Sequence, residues 1–235
     1  MTTLERVGIL AVDSSRTRAY LHGLQRAGLR LGRAIVLTSD PDAPPRDLPA
    51  VPYFDNRTPP LERLRALEVP VDLIASEDVN GAAVLAAVDR APVEALVYSG
   101  PGGAILGKAL LGLGKQFLHI HPGVVPEFRG STTVYYSLLE RGTCGASAIL
   151  LNERIDEGPL VATREYPPPD DRTLIDHGYD PFIRADLLVR VLNDYRDTGR
   201  FRVRPQPAGG RRAFFIMHPV LRHIAVLSRF GGGGG

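Results

Sequence analysis

The chain has 235 residues, 44% of them hydrophobic and 23% charged, enough for one sizeable core and ordinary for a globular protein. A net charge of +2 gives no general electrostatic case for a nucleic-acid partner. The single cysteine, Cys144, excludes an internal disulfide framework and fits a reducing cytoplasm. No apolar run approaches the roughly 20 residues that span a bilayer, and Met1 to Arg6 lacks a signal-peptide layout, so no membrane association is expected.

Taken in order, Arg6 to Val12 reads as a first buried strand, followed by the cap-type residues Asp13, Ser14 and Ser15 and a helix to about Ala27. Ala34 to Thr38 is a second strand, ahead of a loop rich in Pro and Asp. Leu61 to Leu67 and Gly81 to Asp89 read as helices flanking a short strand, Val71 to Ala75. Ala95 to Tyr98 is a strand that runs into Ser99-Gly100-Pro101-Gly102-Gly103, with a short helix from Leu106 to Leu113 beyond it. Strands alternating with helices predict an α/β fold with a mainly parallel, Rossmann-like sheet. Neither this Gly-rich segment nor the turn Val12 to Thr17 carries a dinucleotide or P-loop fingerprint, which argues against a Rossmann dehydrogenase. The segment reads instead as a tight loop that lets backbone approach a neighbour or a small ligand.

The most informative stretch is Phe117 to Gly130, FLHIHPGVVPEFRG. In the strand Gln116 to Ile120 and its continuation, alternation puts Phe117, His119 and His121 on one face, with Leu118 and Ile120 on the other. Pro122, lacking a backbone donor, ends the pairing. Two imidazoles therefore arrive together at the carboxyl end of a strand, where open α/β sheets place their ligand sites. Helix Thr132 to Arg141 follows, then strands Ala146 to Leu151 and Leu160 to Glu165 around the polar loop Asn152 to Gly158. Pro181 to Tyr195 is the clearest amphipathic helix. Phe201 to Arg204 and Ala213 to Met217 read as small closing strands. Residues 1–200 are taken as the catalytic domain, 201–230 as a closing segment and 231–235 as a flexible glycine tail.

Acyl transfer to an amine needs a base for the amine's proton and donors where the carbonyl oxygen becomes negative. A histidine suits the first task, and a carboxylate beside it fixes its orientation. The loop Asn152-Glu153-Arg154-Ile155-Asp156-Glu157-Gly158 offers such a carboxylate, although a solvated acidic loop explains the same composition.

These pieces, HIHPGVVPEFRG followed by GASAILLNERIDEGPLVA, resemble the formyltransferase family that uses 10-formyltetrahydrofolate, which includes glycinamide ribonucleotide, methionyl-tRNA and sugar-amine formyltransferases. The family pattern runs Asn-x-His-Pro-Ser-Leu-Leu-Pro-x-(Tyr/Phe)-Arg-Gly, with an Asp-x-Gly loop further on. The likeness extends from Val7 to about Gln206 and is dense from Phe117 to Ala162. It implies that His121 is the catalytic histidine and Asp156 the catalytic aspartate, with His119 standing where the family has asparagine. An imidazole can donate to an oxyanion as the amide does, but it is larger and it titrates.

The resemblance implies an N-formyltransferase that moves a formyl group from 10-formyltetrahydrofolate to a small-molecule amine, an amino sugar or an amino acid. The turn Asp13 to Thr17 departs from the glycinamide ribonucleotide enzymes' phosphate loop. The chain also ends too soon for the RNA-binding domain of the methionyl-tRNA enzymes, so no nucleic-acid partner is expected. Ser99, Gly100, Gly102, Gly103, Asn152 and Ile155 are the expected folate contacts, and Arg129 and Tyr135 the expected acceptor contacts. The expected oligomer, if any, is a homodimer. Three alternatives stand beside this reading: a formyl-folate hydrolase, a metal-dependent hydrolase using His119, His121 and Asp156, and a non-catalytic metabolite-binding relative. No resident metal is assigned, because a His-x-His pair without a second ligand cluster is a weak zinc signal.

Overall fold

A computed structural model describes residues 1–209 and 213–228. The expected glycine tail, 231–235, lies outside the described residues, as do 210–212 and 229–230 of the closing segment. Seven strands form one sheet in the order β3-β2-β1-β4-β5-β6-β7. They are β1 (Thr2–Val12), β2 (Leu29–Thr38), β3 (Val71–Ala75), β4 (Ala95–Ser99), β5 (Gln116–His121), β6 (Cys144–Leu150) and β7 (Leu160–Tyr166). The first five pair in parallel, whereas β5–β6 and β6–β7 are antiparallel. The sheet is therefore mainly parallel, as the alternation of elements predicts.

Both faces of the sheet are covered, which is why β4 and β6 are buried along their whole length and read as continuous apolar runs. On one face, α1 (Ser15–Arg26), α5 (Thr133–Arg141) and α6 (Asp180–Thr198) bury Leu118 and Ile120 of β5 in the larger core cluster. On the other, α3 (Ala82–Arg90) and α4 (Lys108–Leu111) cover Phe117 in a second cluster. Alternation along β5 thus sends successive side chains into different cores, each such side chain contributing about 2 kcal/mol on burial. A seventh helix, α7 (Pro219–Leu227), packs against α5, and α2 (Pro60–Ala66) against α1.

Three expectations change in detail. β1 and β2 each begin earlier than their apolar runs suggest, because the two strands pair from Thr2 and Leu29 onward, where the buried Leu4, Leu29 and Leu31 alternate with polar residues. The helix expected over 106–113 shrinks to one turn at Lys108–Leu111, stopped by Gly112 and Gly114. The closing strands reduce to single bridges, Arg204 with Leu160 and Phe214 with Gly130. Arg204 meets the start of the edge strand β7, and Phe214 meets the loop after β5.

Two arginines fix the loops around the carboxyl ends of the strands. Arg18, almost fully buried on α1, grips both oxygens of Asp13 at 2.8 Å and donates to the carbonyls of Asn56 and Arg46. This bidentate fork pins the Pro-rich loop over the β1–α1 turn. Arg184, buried on α6, donates to the Ile120 carbonyl at 2.8 Å and pairs with Asp180 at 3.3 Å, locking α6 to the strand that carries the histidines.

Candidate active site

β5 delivers His119 and His121 to its carboxyl end, and Asp156 meets them from the β6–β7 loop. His121 is buried, and its two ring nitrogens face different partners. Nε2 lies 2.7 Å from the Phe128 carbonyl, with the Thr133 hydroxyl at 3.4 Å. Nδ1 lies 3.3 Å from Oδ2 of Asp156. A carbonyl only accepts, so Nε2 carries a proton and donates it, while Nδ1 faces the carboxylate and hydrogen-bonds to it once it too is protonated.

Asp156 is also buried. Burial acts to raise its pKa, but hydrogen bonding to His121, the imidazole's charge and the Gly130 amide outweigh this and hold it down at about 2. The Gly130 N–H donates to Oδ2 at 2.8 Å. Asp156 itself sits at φ 54°, a left-handed conformation that aspartate tolerates better than most residues.

The loop geometry depends on two glycines. Gly130 (φ 97°) lies so close to the Phe214 backbone that a Cβ would overlap its carbonyl. A Cβ on Gly158 would overlap the Leu150 carbonyl. Gln206 completes the brace. Its amide donates to the carbonyls of Asp156 and Gly158 at 2.7 and 2.8 Å, and its oxygen accepts from Arg129.

His119 is half-buried beside Tyr98 and His121, with ring centroids 6.1 and 6.2 Å away. Its Nδ1 is a buried atom without a hydrogen-bond partner among the described residues. Burial first, then the positive charges of Arg184 and Arg16, push its pKa well below the usual histidine value, so the ring is neutral near pH 7.

A cavity of about 960 Å³ opens between the β1–α1 turn, the Pro-rich loop, the Gly100–Gly102 backbone and the start of α6; His119, His121 and Asp156 are not among its lining residues, and Arg184, which lines it and donates to the Ile120 carbonyl of β5, connects the two. Arg16 projects from the turn, donating to the Ser99 hydroxyl at 3.0 Å and to the Gly100 carbonyl. Burial and the neighbouring Arg184 lower the Arg16 pKa to about 10, and among the described residues no carboxylate forms an ion pair with it. Asp180 lines the same wall, its pKa raised by burial against the opposing pull of Arg184.

The residues expected from sequence fall into three groups. His119, His121 and Asp156 come together, with ligand-type atoms all within 4.8 Å of one another. Gly100 and Gly102 line the cavity, whereas Ser99 is fully buried, with its hydroxyl on Thr17 and Arg16. Gly103 is exposed in a left-handed conformation, and Asn152 and Ile155 sit in an exposed turn, Asn152 Oδ1 accepting from Arg154 N. Arg129 and Tyr135 are engaged within the protein, Arg129 on Gln206 and the buried Tyr135 hydroxyl on Asp176 at 2.8 Å. Neither lines the cavity. Arg16, Asp180 and Arg184 were not singled out by the sequence reading. The signal for Arg16 was its place in the first strand-to-helix turn, whereas nothing local marks the other two.

The formyl transferase family model matches residues 34–174, so the chain belongs to the formyl transferase family. Among relatives, the methionyl-tRNA formyltransferase of Chloroflexus aurantiacus is 31% identical over 161 residues, 66% of this chain and 50% of that protein. That of Finegoldia magna is 25% identical over 142 residues, 59% of this chain and 46% of that protein. The chain spans about half the length of these relatives. Solved structures agree in fold: glycinamide ribonucleotide transformylase 1 from Symbiobacterium toebii has a TM-score of 0.58 at 22% identity, covering 88% of this chain and 95% of that one. A sugar N-formyltransferase from a Shewanella species has a TM-score of 0.57 at 16% identity, covering 94% and 86%. Among the described residues, no helix is long and apolar enough to cross a membrane.

Proposed function

We propose that the protein is an N-formyltransferase that moves a formyl group from 10-formyltetrahydrofolate to a small-molecule amine, an amino sugar or an amino acid, in the cytoplasm. The observation that carries this reading is the His121–Asp156 pair, with the unpartnered His119 nitrogen beside it; a cavity of about 960 Å³ is walled by Arg16 and Arg184, the two cations whose charges act on His119. The volume matches a metabolite-sized acceptor rather than a macromolecule.

The residues fit a formyl donor at its reactive end. The free, neutral His119 Nδ1 is a polar atom in want of a partner, and a formyl oxygen supplies one. The backbone around Gly100 and Gly102, with Gly103 and the exposed turn at Asn152 and Ile155, would hold the remainder of the donor. Bound there, the donor supplies an activated one-carbon acyl group on a nitrogen that leaves readily.

This chain's residues then divide the work. His121 Nδ1 takes the proton from the incoming amine, its far nitrogen held protonated by the Phe128 carbonyl. Asp156 orients the ring and stabilises the imidazolium that forms, while Gly130 N–H and Gln206 hold Asp156 in place. His119 presents an N–H to the oxygen that gains negative charge, in the role of the family asparagine. Steady-state assays with 10-formyltetrahydrofolate and a panel of amino sugars and amino acids test this. A formylated amine formed in step with tetrahydrofolate is the expected result; release of formate alone would assign hydrolysis instead.

A further inference from the structure

The arrangement of His121, Asp156 and His119 has a property that formyl transfer does not require. His121 Nε2 donates to the Phe128 carbonyl, so a neutral His121 ring points a lone pair from Nδ1 at the Asp156 carboxylate 3.3 Å away. At that distance the two lone pairs repel each other, and a positive charge between them relieves the repulsion. A proton is one solution. The third group, His119, adds a buried ring nitrogen without any partner among the described residues. Three Lewis bases with one formal negative charge thus converge, their candidate ligand atoms all within 4.8 Å of one another.

We infer that His119, His121 and Asp156 form a binding site for a divalent transition-metal ion of the zinc type. The donor set of two imidazoles and one carboxylate is one that such ions take, with a fourth position left for a water or carbonyl oxygen. The 3.3 Å between His121 Nδ1 and Asp156 Oδ2 matches the edge of about 3.4 Å expected for ligands about 2.1 Å from a tetrahedral zinc ion. The 4.8 Å limit on the set leaves a small rotation of a side chain, and the half-buried His119 ring can supply it.

The surrounding hydrogen bonds are those a metal site needs. A metal-bound imidazole commonly donates its other N–H to a backbone carbonyl, and His121 does so to Phe128. A ligating carboxylate is commonly steadied by an amide, and Asp156 accepts from Gly130 N. The inference goes beyond the formyl-transfer reading: a metal and a transferable proton are alternative occupants of the same gap between His121 and Asp156, so the metal-loaded protein should not run the proposed transfer.

Zinc chloride added to chelator-stripped full-length protein, with bound metal counted after desalting and affinity measured against a chromogenic chelator, tests the site. One zinc ion per chain is expected. His119→Asn and Asp156→Asn should each weaken binding by at least about 100-fold, with His119→Gln as a parallel variant and circular dichroism as the folding control. The variant carrying His177→Ala, His218→Ala and His223→Ala should bind as the wild type does. No binding at micromolar zinc, undiminished binding after His119 is replaced, or loss in the triple variant would overturn the inference. Formyl transfer by the stripped protein is a separate readout, so failure of transfer with zinc binding intact refutes the proposed function alone.

Discussion

The Asp156→Asn substitution probes the core of the site through stability as well as rate. Asp156 is buried, and its pKa lies at about 2 against an ordinary value of 3.8. At about 1.4 kcal/mol for each pH unit of displacement, its ionised form contributes on the order of 2 kcal/mol to folding. The folded-state pKa is depressed, so this contribution is complete above pH 3.8 and is lost as the pH falls through 3.8 toward 2. Urea denaturation of the wild type and the variant at pH 7 should therefore differ by roughly 2 kcal/mol, the asparagine form being weaker. The gap should close progressively between about pH 4 and pH 2.5. A gap that stays constant across that range would refute the ion-pair account and leave only shape and hydrogen bonding to explain the variant.

Other outcomes follow from individual contacts. Gly130→Ala should destabilise the protein by about 2 kcal/mol or more, because the left-handed backbone and the Phe214 carbonyl leave no room for a methyl group; thermal melts check this. Arg184→Met should cost about 3–5 kcal/mol, since it strands the buried Asp180 carboxylate and the Ile120 carbonyl, with the loss visible in urea titrations. Cys144, whose thiol burial pushes its pKa up to about 12, should resist alkylation at pH 8 in the native protein and react once unfolded. Gln206→Ala should lower turnover by roughly ten-fold or more with little change in acceptor KM, because it loosens the Asp156 loop without lining the cavity.

Much of this architecture was legible in the chain because it is encoded locally. Alternation in FLHIHP placed Phe117 in one core, Leu118 and Ile120 in the other, and both imidazoles at the strand end. The spacing of Ile183, Leu187, Leu188, Val191 and Leu192 marked α6, which extends one turn further to Thr198. What escaped was long-range. The carbonyl of Phe128 as the partner that fixes the His121 proton, the Gln206 brace and the Arg184 lock join residues that no periodicity relates. The cavity likewise arises from loops whose mutual position is set by Arg18, a helix residue with no sequence mark of its role. The expected contacts at Ser99 and Tyr135 show the converse: polar residues near a site that spend their hydrogen bonds inside the protein.

The most direct measurement is single-turnover formyl transfer from 10-formyltetrahydrofolate to an amine acceptor, following tetrahydrofolate and formylated product together by mass spectrometry, in the wild type and in Asp156→Asn. The account predicts equal yields of both products from the wild type and a rate at least about 100-fold lower in the variant, with the fold intact. A variant that turns over at the wild-type rate would contradict it.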